Sequence, residues 1–144
     1  MLTYIDPTER KNGQAPKDWP SWWDAAKPTS FDWWVQGHLL NRSMGGPGDL
    51  ENLTPITKAT NRRHRAQVES LVDDAYDTHK LLCYFVEPVY GAKGPKLADD
   101  RVKNPDPSVW PNITEGLLCT WEFIDEQGLV DDSGQDIIVN EHKD

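Results

Sequence analysis

The sequence has no long apolar run. No segment approaches the roughly 18 consecutive apolar residues that a membrane-spanning helix needs. The first residues, MLTYIDPTERKNGQ, also lack the apolar core that a secretory signal peptide requires. We therefore expect a protein that does not enter a membrane and whose sequence shows no export signal.

Cysteine is also scarce, since the chain has only Cys83 and Cys119. Two cysteines exclude a multi-cysteine zinc framework and a disulfide scaffold. Both lie in strand-like runs, so a single disulfide between neighbouring strands is compatible with their positions, and two buried free thiols are the favoured alternative. The sequence also lacks a G-x-S-x-G, a Walker or a C-x-x-C motif, which removes the common hydrolase, NTPase and redox classes.

Basic charge is in the minority: 15 lysines and arginines stand against 24 acidic residues, which gives a net charge of -9. This balance disfavours unspecific binding to phosphate backbones. The charge is unevenly distributed, however. Residues 34–70 carry a net charge of +2, and the remainder of the chain carries -11. The basic residues of this window are Arg42, Lys58, Arg62, Arg63 and Arg65.

Aromatic residues are abundant, with seven tryptophans, four tyrosines and three phenylalanines. They provide large apolar surfaces that disordered chains lack, and 144 residues are enough for one globular domain. We predict a single domain over residues 1–144. It begins with an irregular, tryptophan-rich N-terminal arm (1–30), continues with a core (31–80) and ends with C-terminal strands (81–144). Trp19, Trp22 and Trp23 are expected to pin the arm to the core.

The core is predicted to contain two strands, residues 31–40 and 52–57, which are rich in aromatic and β-branched side chains. A polar, glycine-rich loop of eleven residues joins them. Later in the chain, residues 81–90 and 116–124 resemble strands, and DIIVN at 136–140 is typical of an edge strand.

Residues 59–79 are predicted to form a helix, because apolar side chains recur there at three- and four-residue spacing. Thr57 or Thr60 is the candidate N-cap. Continuing the apolar stripe towards the N-terminus reaches His64 and then Asn61, which places both on the face that turns towards the protein. Together, these elements predict an α+β fold.

Residues 37–64 carry the most specific motif, GHLLNRSMGGPGDLENLTPITKATNRRH. The order GH, GG, NL and N-x-x-H resembles that of the His-Me finger (ββα-metal) nucleases, the superfamily that contains the HNH endonucleases and the DNA/RNA non-specific endonucleases. The stretch more closely resembles the nuclease domains at the C-termini of bacterial polymorphic toxins. The resemblance implies a ββα-metal core followed by additional antiparallel strands.

The resemblance also implies roles for individual residues. His38 corresponds to the general base, and a free imidazole, with a pKa of about 6.5, can accept a proton at neutral pH. Asn61 corresponds to the metal-binding asparagine, whose amide oxygen is a hard ligand suited to Mg²⁺ or Mn²⁺. His64 is the candidate second metal ligand, and a solvated position in an arginine-rich turn is the alternative. Asn52 is expected to hold the loop that carries the base.

One position departs from many HNH enzymes, which have an acidic residue or a histidine as a metal ligand directly before the base. Here this position is Gly37, as in the non-specific endonucleases whose motif ends in GH. The metal would then be held by Asn61, with His64 as a candidate second ligand, and by waters, which Mg²⁺ retains readily. Four arginines are available for substrate phosphates: Arg42, Arg62, Arg63 and Arg65.

The function implied by this resemblance is metal-dependent endonucleolytic hydrolysis of DNA, with RNA as the second choice. The toxin context implies an antibacterial effector, delivered into the cytoplasm of a target cell, and a cognate immunity protein in the producing cell. The alternative is an inactive nuclease-like module that binds a protein partner through its acidic surface.

Overall fold

A computed structural model describes residues 1–9, 12–17, 34–91, 96–97, 111 and 113–142. Its strands are β1 (Leu2–Ile5), β2 (Trp34–His38), β3 (Leu53–Thr57), β4 (Leu81–Tyr90), β5 (Lys96–Leu97), β6 (Thr114–Ile124), β7 (Val130–Val139) and β8 (Glu141–His142), and its α-helix is α1 (Lys58–Thr78). Two short 3-10 turns, Arg42–Met44 and Leu50–Asn52, lie in the loop between β2 and β3. The α+β class predicted from the sequence is confirmed.

The largest sheet has four antiparallel strands in the order β1-β4-β6-β7. Its inner face presents alternate residues of each strand, among them Leu82, Tyr84 and Leu117, which are fully buried. The apolar stripe of α1, including Val68, packs into the same core cluster. The helix therefore lies against one face of this sheet.

β2 and β3 form a separate antiparallel hairpin in which His38 lies opposite Leu53. The helix α1 follows β3 without an intervening loop, because Thr57 ends the strand and also caps the helix. Its Oγ1 accepts a hydrogen bond of 3.1 Å from the backbone N–H of Thr60. Of the two caps proposed from the sequence, Thr57 is the one observed.

A buried asparagine joins the hairpin and helix to the large sheet. Asn140 follows β7 and is fully buried. Its Oδ1 accepts a hydrogen bond from the Thr57 backbone N–H at 3.0 Å, and its Nδ2 donates to the Thr114 carbonyl oxygen at 2.8 Å. The next residue, Glu141, accepts at its carbonyl oxygen from the Thr57 hydroxyl. The start of α1 is thereby fixed to the ends of β6 and β7.

Most of the predicted elements are present, with differences at their ends. The helix is displaced by one residue from its predicted range. β4 has the bounds predicted for it, and β6 begins two residues earlier than expected. β2 ends at His38 instead of residue 40. The irregular arm predicted over residues 1–30 is wrong for residues 2–5, which pair with β4 as strand β1. Its three tryptophans, Trp19, Trp22 and Trp23, lie outside the described residues.

β7 is longer than predicted, since the edge strand expected at 136–140 begins at Val130. Cys83 and Cys119 are both free, and they lie opposite Glu122 and Val86 in the sheet. The disulfide alternative is therefore wrong. Cys119 is buried, whereas Cys83 is only half-buried. Within the described ranges, the structure contains no helix that is long and apolar enough to cross a membrane.

Candidate active site

His38 is the last residue of β2 and is half-buried. Its Nε2 lies 2.8 Å from the backbone carbonyl oxygen of Gln14. A carbonyl oxygen only accepts hydrogen bonds, so Nε2 must carry the proton and donate it. In the neutral ring, Nδ1 then keeps its lone pair and is the nitrogen that can accept a proton.

His38 and Asn61 line the same cavity, which has a volume of about 420 Å³. The cavity lies between the end of β2, the following loop, the first half of α1 and the N-terminal segment. Its walls are mainly polar. The lining residues are Asn12, Gly13, His38, Asn41, Arg42, Ser43, Asn61, Arg65 and Glu69.

Asn61 lies in the first turns of α1 and approaches the β2 backbone beside His38. A Cβ atom added at Gly37 would lie 3.3 Å from Asn61 Oδ1 and only 2.1 Å from Ile56 Cδ1. Ile56 is fully buried, so its side chain would have to shift within the packed interior to accommodate that atom. Packing therefore favours glycine at position 37, and a metal-binding side chain directly before His38 would have to displace Ile56.

Asn52 forms three hydrogen bonds with the loop that follows His38. It is fully buried, and its Oδ1 accepts a hydrogen bond of 2.7 Å from the Leu40 backbone N–H. Its Nδ2 donates to the carbonyl oxygens of Leu40 and Pro47, at 3.0 and 2.8 Å. The loop is also closely packed at Gly46, where a Cβ atom would lie 1.8 Å from the Leu40 oxygen. These contacts fix the chain directly after His38.

Asn61, Arg65 and Glu69 follow one another at four-residue spacing on α1, which places them on one face of the helix. Arg65 Nε donates to Glu69 Oε1 at 2.7 Å. Both side chains are well exposed, so this pair contributes little to stability. Glu69 lies outside the motif at residues 37–64. The repeated spacing of four residues after Asn61 is the signal by which it could have been found.

His64 is not brought into this cavity, although the sequence suggested it as a second metal ligand. Its side chain is buried in the core, with 1% of its surface exposed, and its Nε2 lies 2.9 Å from the Tyr84 hydroxyl oxygen. Burial lowers the pKa of His64 to about 4 and raises the pKa of Tyr84. Because the ring lies between α1 and the large sheet, this geometry does not support metal binding by His64. The apolar stripe predicted an inward-facing His64, and the ring does face inward, but it lies in the core and does not line the cavity.

The four candidate phosphate-binding arginines separate into two groups. Arg42 and Arg65 line the cavity, and Arg42 is exposed. Arg62 is exposed but does not line the cavity. Arg63 donates to the Val139 carbonyl oxygen at 2.8 Å and pairs with Glu141 at 3.3 Å. The contacts of Arg63 fasten α1 to the C-terminal strands and do not support a role in substrate binding.

The oxygen donors of the cavity suit a hard cation that keeps part of its water shell. The described residues contain no group of three or more histidine, cysteine or acidic side chains that could enclose a metal. Asn61 has an amide oxygen, and within the described part of the chain no protein donor forms a hydrogen bond with it. Glu69 and Ser43 offer further oxygens in the same cavity. This donor set fits Mg²⁺ or Mn²⁺, which tolerate few protein ligands.

Comparison with known proteins identifies a family. The family model described as DNA/RNA non-specific endonuclease matches residues 2–99, which is more than half of the 144 residues. The matched range contains the whole cavity lining and the hairpin and helix that carry it. β6 and β7 lie outside the matched range. Neither the curated proteins nor the solved structures gave a match.

Proposed function

This chain belongs to the DNA/RNA non-specific endonuclease family, and we propose that it hydrolyses phosphodiester bonds by a metal-dependent reaction centred on His38 and Asn61. The observation that carries the proposal is their shared cavity, in which Nε2 of His38 is paired with the Gln14 carbonyl and Nδ1 has no hydrogen-bond partner among the described residues. A base must reach its proton within hydrogen-bond distance, and Nδ1 is the available nitrogen.

In this mechanism, Nδ1 of His38 takes a proton from a water molecule as the water attacks phosphorus. The bond between phosphorus and the 3′ oxygen breaks in line with the attack, and the departing 3′ oxygen takes up a proton from solvent water, which leaves 5′-phosphate and 3′-hydroxyl ends. The Gln14 carbonyl holds the ring while it becomes charged. When bound, Mg²⁺ or Mn²⁺ supplies positive charge for the oxygens on which negative charge develops; Asn61 would hold it, with Glu69 and Ser43 as neighbouring donors.

The substrate is nucleic acid, and we propose DNA ahead of RNA. Arg42 and Arg65 are the cationic residues of the cavity, and Asn12, Asn41 and Ser43 add neutral hydrogen-bonding groups. Arg65 is already paired with Glu69, which makes Arg42 the stronger candidate for contact with a phosphate. The rest of the chain is strongly acidic, so binding depends on this local region and should weaken steeply with salt.

We extend the proposal to an antibacterial effector domain that acts in the cytoplasm of a target cell and is neutralised by a cognate immunity protein. Support comes from the similarity of residues 37–64 to the nuclease domains of polymorphic toxins. A small gene next to the coding sequence whose product binds this protein and blocks cleavage would support this role. Failure of the neighbouring gene products to bind would contradict it and leave the nuclease proposal intact.

A plasmid-nicking assay tests the nuclease proposal directly. The wild-type protein is expected to nick DNA with Mg²⁺ or Mn²⁺ and to stop when EDTA removes the metal. His38→Ala and Asn61→Ala should each lower the rate, the first by about 10² to 10⁴-fold because the general base is lost. His79→Asn, which removes an exposed histidine at the far end of α1, is the matched control and should retain activity. Cleavage that survives both site substitutions would refute the assignment, and an inactive wild type would favour the acidic binding module.

A further inference from the structure

A segment of the N-terminal region, residues 12–17, lies across the glycine-rich loop that follows His38. We call this segment the strap. Three backbone hydrogen bonds attach it to the loop, at 2.8, 3.0 and 2.7 Å. The backbone N–H groups of Gly13, Gln14 and Lys17 donate to the carbonyl oxygens of Arg42, Gly46 and Gly48, respectively.

The strap and the loop touch so closely that glycine is required on both sides. A Cβ atom at Gly13 would lie 2.3 Å from the Gly46 carbonyl oxygen and 2.9 Å from Arg42 Cα. A Cβ atom at Gly48 would lie 1.9 Å from the Ala15 carbonyl oxygen. All of these neighbours are backbone atoms, which cannot rotate away as a side chain could. A methyl group on either side must therefore lift the strap off the loop.

The strap reaches the candidate base at one point, the Gln14 carbonyl oxygen, which accepts the hydrogen bond from His38 Nε2. Gln14 is 24 residues before His38 in the chain, so nothing in the local sequence of β2 supplies this partner. Asn12 and Gly13, in the same segment, form part of the cavity wall. The strap therefore contacts both the ring and the space in front of it.

We propose that the strap is a positioning element for catalysis, in which the Gln14 backbone carbonyl fixes the tautomer and orientation of His38. This inference rests on the proposed function of His38 as the base. With the carbonyl in place, Nδ1 is held as the free nitrogen and points consistently at the attacking water. Without it, the ring can rotate and exchange its proton between the two nitrogens, so only part of the molecules are correctly oriented.

The test combines two measurements on the full chain. Nuclear magnetic resonance of the His38 ring reports its tautomer and the exchange rate of its Nε2 proton, without requiring activity. Steady-state cleavage with Mg²⁺ gives kcat and KM. The wild type should show a protonated Nε2 with a slowly exchanging proton. Gly13→Ala should accelerate this exchange and lower kcat by about 10²-fold, with little change in KM, because the base is misplaced while substrate binding remains.

Gly48→Ala lifts the strap from the opposite side and should give the same pair of changes. Gly116→Ala is the control for lost stability: its Cβ atom would lie 2.9 Å from the Ile138 carbonyl oxygen, in the large sheet. It should lower the thermal stability but leave the His38 ring signals and kcat of the folded protein unchanged. Circular dichroism verifies that each variant is folded.

The outcomes separate this inference from the function on which it rests. An active wild type whose folded Gly13→Ala or Gly48→Ala variant keeps kcat within about twofold would overturn the strap's role and leave the nuclease assignment standing. A protonated Nδ1 in the wild-type ring would overturn it even if neither variant folds. A wild type with the expected Nε2 proton but no metal-dependent cleavage would instead overturn the proposed function, and with it the catalytic purpose of the strap.

Discussion

His64 lies on α1, the helix that also carries Asn61, and its buried ring makes the stability of the protein depend on pH. Its ring is 1% exposed and lies against Tyr84, between α1 and the large sheet. Burial lowers the pKa of His64 from 6.5 to about 4, so the folded protein keeps the ring neutral. The unfolded chain has no such restriction and takes up a proton as the pH falls below 6.5. We predict that the protein loses stability between pH 6.5 and pH 4.

The sign and size of the effect follow from this difference in proton binding. Between pH 6.5 and 4 the unfolded state binds more protons at this residue than the folded state, so the free energy of unfolding decreases as the pH falls. The difference between pKa values of 6.5 and about 4 corresponds to about 3 kcal/mol. The contribution is constant above pH 6.5 and fully lost below pH 4. It is a large fraction of the roughly 5 to 15 kcal/mol that stabilises an ordinary domain.

Urea unfolding at intervals from pH 4 to pH 8 measures this effect when the wild type is compared with His64→Gln. Glutamine retains a hydrogen-bonding group near Tyr84 but does not titrate, so the other titrating groups cancel in the difference. The variant should gain about 3 kcal/mol relative to the wild type on going from pH 7 to pH 4. His79→Asn, at the exposed C-cap, is the control and should follow the wild type. Parallel pH profiles for the wild type and His64→Gln would refute the reasoning.

Two further predictions concern the packing around His38. Asn52→Ala leaves two backbone groups of Leu40 and the Pro47 carbonyl without their hydrogen-bond partner. The substitution should therefore lower the free energy of unfolding by about 3 kcal/mol and also lower kcat. A variant as stable and active as the wild type would contradict this. Gly37→Asp should not increase metal affinity in calorimetric titration with Mn²⁺, and it should destabilise the fold by about 1 to 3 kcal/mol because its Cβ atom meets Ile56. Tighter Mn²⁺ binding with unchanged stability would show that the position does accept a ligand.

The parts of the fold that could be predicted are those with a strong local period. α1 was found from the three- and four-residue spacing of residues such as Val68 and Ala75, and β4 and β6 from their apolar and aromatic composition. β7 was only partly found, because its first half, VDDSGQ, is polar and lies at the edge of the sheet. Its pairing with β6 comes from tertiary contacts that override the weak local preference for a strand. The pairing of β1 also comes from tertiary contacts, because this strand has only four residues and its sequence shows no distinctive period.

Within the site, residues with a motif could be predicted, and residues that depend on tertiary contacts could not. The order of GH, NL and N-x-x-H predicts that His38, Asn52 and Asn61 belong to one site; in the structure His38 and Asn61 line the same cavity, and Asn52 contacts the loop after His38. Helical spacing correctly predicts that His64 faces inward, but spacing alone cannot tell whether an inward-facing side chain lies in the cavity or in the core. Gln14 acts through its backbone carbonyl, which any residue provides, and no side-chain pattern can indicate it.

The two central residues are held with different degrees of constraint, and this difference bears on how the site works. His38 is fixed by its strand partner Leu53, by Asn52 through the loop behind it, and by the Gln14 carbonyl. The amide oxygen of Asn61 receives no hydrogen bond from any described protein group. A base must be aligned with a particular proton, and small displacements there are costly. A hydrated cation is coordinated mainly by its own water molecules and can adapt to a single protein ligand. Among the described residues, the fold therefore fixes the proposed base through more contacts than the proposed metal ligand, as the proposed mechanism requires.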